Sequence, residues 1–393
     1  METLPRCVVF DRVSCWNNVL HVFRLTGNGA WRNDAQNALF PSIGMNRGDI
    51  MGRSGTAGGR SNGGTVTIKD VAKLAGVAVS TASRALGNGS ASQQTRERVR
   101  KAAQELHFVP NSVAQRLPSG KSNVVALVVN EPTTFLFQDD FLSGMLGELS
   151  LSLTTRGLLP FLVLASPDDV EGFRDLLMRS GCEGIIVASA HEGRQMAKIL
   201  GNYDKPVAFV GRPPDGFKCP YVDVDNFDGG YQAACRLINR GCTRIALIEG
   251  PKDMPTPRER TAGFMAALRE AGLEPVATCS GSYEMRNGIT SMERIIREHP
   301  EVDGVFAHSD RIAAGVIHVL ARNDRRIPED VAVVGFDDLQ VATLLNPQLT
   351  TLAQPVSDMA DAAAEMLHHR LETGSWKVAS QRFPVRLVER ESA

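Results

Sequence analysis

The stretch that most constrains this chain is residues 67–117. It opens Thr67-Ile68-Lys69-Asp70-Val71-Ala72-Lys73-Leu74-Ala75-Gly76, with Ile68, Val71, Ala72 and Ala75 on one apolar stripe at helical spacing. Gly76 permits the backbone turn on which such a helix ends. Residues 79–86 can carry a second short helix. Two short helices joined by a tight turn fit a helix-turn-helix, whose second helix enters the DNA major groove. Ser92 can cap a third helix with Thr95, Val99, Ala102 and Leu106 along its inner side. Between positions 66 and 122, nine Lys/Arg stand against three Asp/Glu, a formal +6. Residues 1–65 carry +3 and the remainder −10, so a basic head precedes an acidic body. That asymmetry suits a polyanionic partner at one end, although a small three-helix bundle with a charged face would share the pattern.

The order of residues from Thr67 to Val77, and again from Ser80 to Arg84, closely resembles the DNA-binding head of the lactose/galactose-repressor family of bacterial transcription regulators. With the later motifs the resemblance runs from about Val66 to the carboxyl end. On side-chain chemistry, Ser80 near the helix start and Arg84 are the better candidates for DNA contact, Arg84 reaching a guanine edge or a phosphate. The resemblance adds Val79, matching with Ser80 a variable specificity pair, although a valine there could also be core. Thr67, Thr81 and Ser83 complete the head's candidates. Between Arg84 and Thr95 the chain is one residue shorter than most of the family, so residues 87–91 meet the backbone differently.

Pro110 separates the third helix from Asn111-Ser112-Val113-Ala114-Gln115-Arg116-Leu117. So short a helix is unstable alone and suits a hinge that orders on DNA, although a passive linker is the plainer alternative. The resemblance implies that two such helices pair in the minor groove, with Asn111 and Arg116 at the DNA and Leu117 as the wedging leucine. Gln115 stands where many relatives carry Arg.

From residue 123 onward, short apolar strands alternate with amphipathic helices. Candidate strands are 124–129, 159–164, 184–188, 206–210, 244–248, 304–307 and 331–335; candidate helices are 141–154, 170–179, 229–240, 260–271, 288–298, 312–321 and 357–371. The pattern means largely parallel sheets covered on both faces, with ligands in the loops after strands. The expected body is a two-lobed α/β domain, similar to the family's periplasmic-binding-protein-like effector domain. The second lobe starts near Asp228, a third crossing between lobes falls near residues 347–354, and the helix after it rejoins the first lobe.

Effector candidates come from those loops. Asp310 either caps a helix or accepts hydroxyl hydrogen bonds from a ligand. Arg260, in Arg-Thr-Ala-Gly-Phe, and Asp337, in Gly-Phe-Asp-Asp, match effector-contacting residues of the family. Solvation at a helix start and loop stabilisation are the plainer roles for these two. Phe135 and Phe137 could stack on a sugar-like face or sit in the core. Ser309 replaces a common Asn and Cys242 a common His.

No Gly-x-Ser-x-Gly elbow, His-Glu-x-x-His pair or Walker loop is present, which argues against an enzyme. Seven cysteines without a CxxC pair read as free thiols of a reducing cytoplasm rather than disulfides or zinc ligands. No metal or cofactor is expected, and no run of 18 apolar residues suggests a membrane span. The expected division is 1–65, a disordered extension or a start assigned too early, with translation from about Met51; 66–109, an all-α helix-turn-helix head; 110–122, hinge and linker; and 123–393, the two-lobed effector-binding and dimerisation domain. The expected function is a sequence-specific regulator, a repressor acting as a homodimer on a pseudo-palindromic double-stranded DNA operator and controlled by a sugar-like effector. The alternative is a sugar-binding, transport-associated protein without a regulatory role.

Overall fold

The computed structural model describes residues 12–16, 19–25, 31–33, 66–87, 89–108, 122–164, 170–189, 191–192 and 199–393. The chain divides into Met1–Thr65 and Val66–Ala393. In the first unit β1 (Arg12–Trp16), β2 (Val19–Leu25) and β3 (Trp31–Asn33) pair antiparallel in that order. The sequence reading expected no strand there; Val13, Val19, Val22 and Phe23 are residue types that favour the pleated chain.

The head has α1 (Ile68–Ala75), α2 (Val79–Leu86) and α3 (Gln93–Glu105). Gly76 has φ 62°, and the Val77 N–H reaches back to the Ala72 carbonyl, which stops α1 and turns the chain into α2. Ser92 Oγ accepts from the Thr95 N–H and caps α3. Val71, Ala72, Ala75, Ala82, Ala85, Val99, Ala102 and Ala103 form the head's core. Its small alanines let three short helices approach closely.

In the first lobe come β4 (Val124–Val129), α4 (Thr133–Leu136), α5 (Asp140–Thr155), β5 (Leu159–Leu164), α6 (Val170–Arg179), β6 (Gly184–Ser189), β7 (Val207–Val210) and β8 (Tyr221–Val224). The second lobe holds α7 (Asn226–Asn239), β9 (Ile245–Glu249), α8 (Pro255–Glu270), β10 (Ala277–Ser280), α9 (Met285–Glu298), β11 (Gly304–Ala307), α10 (Asp310–Arg322), β12 (Ala332–Asp337), α11 (Gln340–Leu344) and β13 (Thr350–Ala353). Then α12 (Val356–Thr373) and β14 (Ser380–Phe383) return to the first lobe, and β15 (Arg386–Val388) ends in the second. The sheets run β14-β8-β7-β6-β4-β5 and β10-β9-β11-β12-β13-β15, parallel throughout except where β15 lies antiparallel to β13.

Both sheets are buried on two faces by alternation along each strand. In β4, Val125, Leu127 and Val129 join the core that includes α5 and α12, while Ala126 and Val128 join the core beneath α6. In β9, Ile245 and Leu247 join the side of α7 and α8, while Ala246 and Ile248 join the side of α9 and α10. As expected, the second lobe begins at α7 and α12 rejoins the first, where Ser152 and Arg156 of α5 hold Asp361. The crossing near Gln354 is the second, not the third. The third lies between Phe383 and Arg386, because the last strand finds its partner on the far edge of the second sheet, where Ser392 donates to the Val333 carbonyl. Among the described residues no helix is long and apolar enough to cross a membrane.

Two helix pairs in the second lobe meet backbone to backbone. A Cβ on Gly230 of α7 would collide with the Arg260 carbonyl of α8, and one on Gly263 with the Phe227 carbonyl; Gly288 of α9 and Gly315 of α10 stand likewise against Ile312 and Met285. Gly230→Ala or Gly288→Ala should therefore destabilise this lobe by about 1–3 kcal/mol through overpacking, read as a lower urea midpoint.

Candidate DNA interface and effector cleft

The exposed face of the head is set by which α2 residues its core takes. Ala82 and Ala85 point inward, leaving Val79, Ser80, Ser83 and Arg84 exposed and Thr81 half-buried. Val79 is 43% exposed, so it is not a core valine. Thr67 precedes α1, and its backbone N–H and hydroxyl both donate to Asp70 Oδ2, at 2.8 and 2.7 Å. These bonds hold the Asp70 carboxyl below its ordinary value. The shortened connection to α3 is tied down by Arg96, which donates to the carbonyls of Ala85, Gly87 and Gly89 at 3.3, 2.9 and 2.5 Å. Sequence reasoning counted Arg96 only as charge. Asn111, Arg116 and Leu117 lie outside the described residues.

Between the lobes lies a cleft whose empty space, open solvent included, is about 850 Å³. Loops after β4, β6, β7 and β8 wall it from one side, and loops after β9, β11 and β12 from the other. Arg260, in the second turn of α8, is buried and meets partners from three segments. Its Nε donates to Asn226 Oδ1 at 2.9 Å and its Nη1 to the His308 carbonyl at 2.5 Å. Its Nη2 stands 3.8 Å from Asp337 Oδ1, and the guanidinium lies 3.5 Å above the Phe336 ring centroid. His308, behind it, is fully buried; burial and Arg260 push its imidazole well down, so it is neutral.

Asp337 also accepts from Gln354 at 2.7 Å, and its backbone and that of Asp338 are left-handed, with φ 111° and 60°. Strain of this kind gathers at functional sites. Burial raises the Asp337 carboxyl to about 7 against the opposing pull of Arg260 and Gln354. Asp223 accepts from the backbone N–H groups of Arg212 and Val224 and is raised by burial to about 6.

Of the five effector candidates, Phe135, Arg260 and Asp337 line the cleft. Phe137 does not: Leu136 between the two phenylalanines turns into the core, and Phe137 is 72% exposed. Asp310 does not line it either, nor does it cap α10, whose cap is Ser309. Asp310 is wholly buried, its Oδ2 accepting from the Leu339 N–H at 2.7 Å and its Oδ1 from Thr351 at 2.6 Å. As the first residue of α10 it points toward β12 and β13, away from the opening.

Several wall residues escaped sequence reasoning. Asp139 caps α5 through Leu142, and its other oxygen takes Arg311 of the second lobe at 3.2 Å; Arg311 in turn lies over Phe135. Glu131, Ser189, Arg212, Tyr283, Ser309 and Gln354 complete the polar wall. Asp139 carried a helix-cap signal in Asp139-Asp140-Phe141, and Ser309 was noted only as replacing a common Asn; the others carried none, because lobe closure brings them together.

An exposed second helix on a basic three-helix head, joined to a hinged two-lobed cleft, defines a ligand-responsive DNA-binding protein. Comparison with known proteins agrees. Residues 67–111 match the family model for bacterial regulatory proteins of the lacI family, and residues 234–393 match that for a periplasmic binding protein-like domain. The chain is 37% identical to the HTH-type transcriptional regulator CelR of Thermobifida fusca, over 82% of its own length and 95% of that protein's. It is 28% identical to the ribose operon repressor of Escherichia coli (strain K12), over 83% and 99%. Its structure is similar to that of a transcriptional regulator CelR–cellobiose complex, with TM-score 0.66 and 34% identity, over 84% and 100% of the two chains. It shares a fold, at 23% identity and TM-score 0.74 over 83% and 98%, with the lac repressor dimer bound to operator and the anti-inducer ONPF. The chain belongs to the lacI family of bacterial regulatory proteins and is a DNA-binding transcription regulator with an effector-binding body.

Two outcomes separate structural from ligand-contacting carboxylates. Asp310→Ala should strand two buried donors and lower body stability by about 1–3 kcal/mol in urea unfolding. Asp337 holds its proton more tightly folded than unfolded. Its contribution is therefore fully present below the ordinary carboxylate range and is lost as pH rises through about 7. Asp337→Asn should flatten that fall between about pH 4 and 7 in urea midpoints taken across pH.

Proposed function

We propose that this chain is a homodimeric repressor that binds a pseudo-palindromic operator through Val79, Ser80, Thr81, Ser83 and Arg84, with Thr67 at the backbone and Asn111, Arg116 and Leu117 as a hinge. Its effector is an uncharged sugar, released operator being the response. The observation that carries the effector class is the charge state of the cleft. Arg260, Arg311 and Arg212 each already hold a carboxylate, of Asp337, Asp139 and Glu259. Among the described residues each arginine lining the cleft is thus already paired, which disfavours a phosphate or carboxylate ligand, whereas carboxylates and hydroxyls beside Phe135, Phe141 and Tyr283 suit a polyol with apolar faces. The CelR relative solved with cellobiose makes that neutral disaccharide the first ligand to test. Its relatives CelR and the ribose operon repressor are named a regulator and a repressor, which supports a binding protein rather than an enzyme, acting in the cytoplasm on the chromosome.

The dimer is supported by an unpaired apolar strip on the first lobe. β5 is an edge strand, and Leu159, Phe161 and Leu162 on it and Leu151 on α5 are exposed. A second copy covering this strip would remove an edge that otherwise invites aggregation, and would present two heads to two half-sites.

Fluorescence anisotropy on a labelled duplex, carrying the palindrome nearest the protein's own gene, tests the reading. Cellobiose should weaken operator binding. Arg84→Ala should cost about 1–3 kcal/mol on the operator and less on random DNA. Equal loss on both would assign Arg84 to phosphate positioning, and an operator affinity indifferent to cellobiose would remove that ligand.

A further inference from the structure

His191 follows β6 at the mouth of the cleft, and each of its ring nitrogens meets a carboxylate. Nε2 is 2.9 Å from Glu131 Oε1, and Nδ1 is 2.9 Å from Asp253 Oδ2. Glu131 belongs to the first lobe, lines the cleft and also accepts from Ser189. Asp253 belongs to the second lobe, in the loop between β9 and α8. A neutral imidazole has one N–H and one lone pair, so it would set a lone pair against one of these oxygens. The imidazolium alone donates to both. Beside this bridge the Glu192 N–H donates to the Asp253 carbonyl at 2.6 Å, so the contact forms part of a continuous seam between lobes. Among the described residues, the titratable groups facing the ring are Glu131 and Asp253; the Glu192 carboxylate turns away to Arg258 at 2.5 Å.

We infer that His191 is a proton-dependent latch of the effector cleft, a positioning residue that ties Glu131 in the ligand wall to the opposite lobe and sets how readily the cleft opens. The inference rests on the reading of this cleft as the effector site. The two carboxylates, Glu131 first, raise the imidazole to about 9 against the effect of burial. Opening the lobes takes Asp253 away and lowers that value, so the closed state holds the proton more tightly. Closure is therefore favoured at neutral pH and weakens as pH rises through about 9. Asp337 and Asp223, at about 7 and 6, titrate mostly below pH 8, so the change centred near pH 9 is separate from theirs.

The test uses the full chain with fluorophores introduced at exposed Asp204 in the first lobe and Glu293 in the second. The distance between lobes is followed by energy transfer from pH 7.5 to 10, first alone and then with cellobiose. The wild type should open as pH rises, and its cellobiose affinity should fall about tenfold, one unit of closure-linked shift. His191→Gln, uncharged and able to serve one carboxylate, should be open and flat across the range. Asp253→Asn, which keeps the His191–Glu131 pair, should be flat as well. His191→Arg donates to both carboxylates and does not titrate here, so it should stay closed to pH 10. A His191→Gln or Asp253→Asn curve that follows the wild type overturns the latch, as does a wild type whose lobes ignore pH. Lobes that follow pH but ignore cellobiose support the latch and overturn the cellobiose reading.

Discussion

The guanidinium of Arg260 is the interaction on which the body's architecture depends. It joins Asn226 at the first crossing between lobes, the His308 carbonyl after β11 and Asp337 after β12, and rests on Phe336. Two strand ends and the crossing therefore share one buried cation. Removing it would leave the Asn226 and His308 carbonyls without this donor and the Asp337 carboxylate with Gln354 but no cation, in a buried site where an unpaired charge costs several kcal/mol. The apolar cores of the second lobe supply the larger share of stability, but they do not fix where these loops stand. The charge does, because its partners must be met at fixed distances and directions.

That arrangement explains an apparent excess of acid in the cleft. Asp139, Asp223 and Asp337 are buried, and burial raises each carboxyl. Each is nevertheless held by backbone N–H groups or by an arginine. The site's polar groups are thus pre-positioned by bonds within the protein, which spares a ligand the cost of ordering them. Backbone strain at Asp337 and Asp338 belongs to the same design: Arg390 holds Asp338 at 2.6 Å from the carboxyl-terminal segment and keeps the loop in place.

Much of this was legible in the sequence, and the exceptions have physical causes. The central strands β4, β6 and β11 were readable as continuous apolar runs because both faces of their sheets are covered. The body strands that escaped are β10, β14 and β15, at sheet edges where exposed positions such as Gln381 and Arg382 interrupt the pattern, and the interior β8 and β13, whose four residues each are too few to show a period. In the head, Val79 could not be told from a core valine until Ala82 and Ala85 were seen to take the inner face. In the cleft, Arg260 and Asp337 carried family wording, whereas Glu131, Gln354 and Arg311 are brought together by tertiary closure and have no local signature. Asp310 shows the opposite failure: its place in a loop between a strand and a helix suggested a ligand contact or a helix cap, and its geometry is that of a buried brace.

The lobes differ from their seam in the kind of interaction that holds them, and this difference makes a switch possible. Within each lobe, fully buried valine, leucine and phenylalanine side chains contribute about 1.5–3 kcal/mol apiece, so neither lobe opens internally at modest cost. Across the mouth of the cleft the contacts are polar and mostly wet: Arg212 with Glu259, Arg258 with Glu192 and Asp215, and His191 with Asp253. Exposed pairs of this sort contribute about 0–1 kcal/mol each. A few of them leave closed and open arrangements within a few kcal/mol of each other, the range over which a ligand's differential contacts can move a population. The better-buried Asp139–Arg311 pair lies deeper, against Phe135 in the ligand wall. A ligand that packs there excludes water from the one lobe-to-lobe ion pair whose strength depends most on dryness, and so strengthens closure beyond the contacts it makes itself.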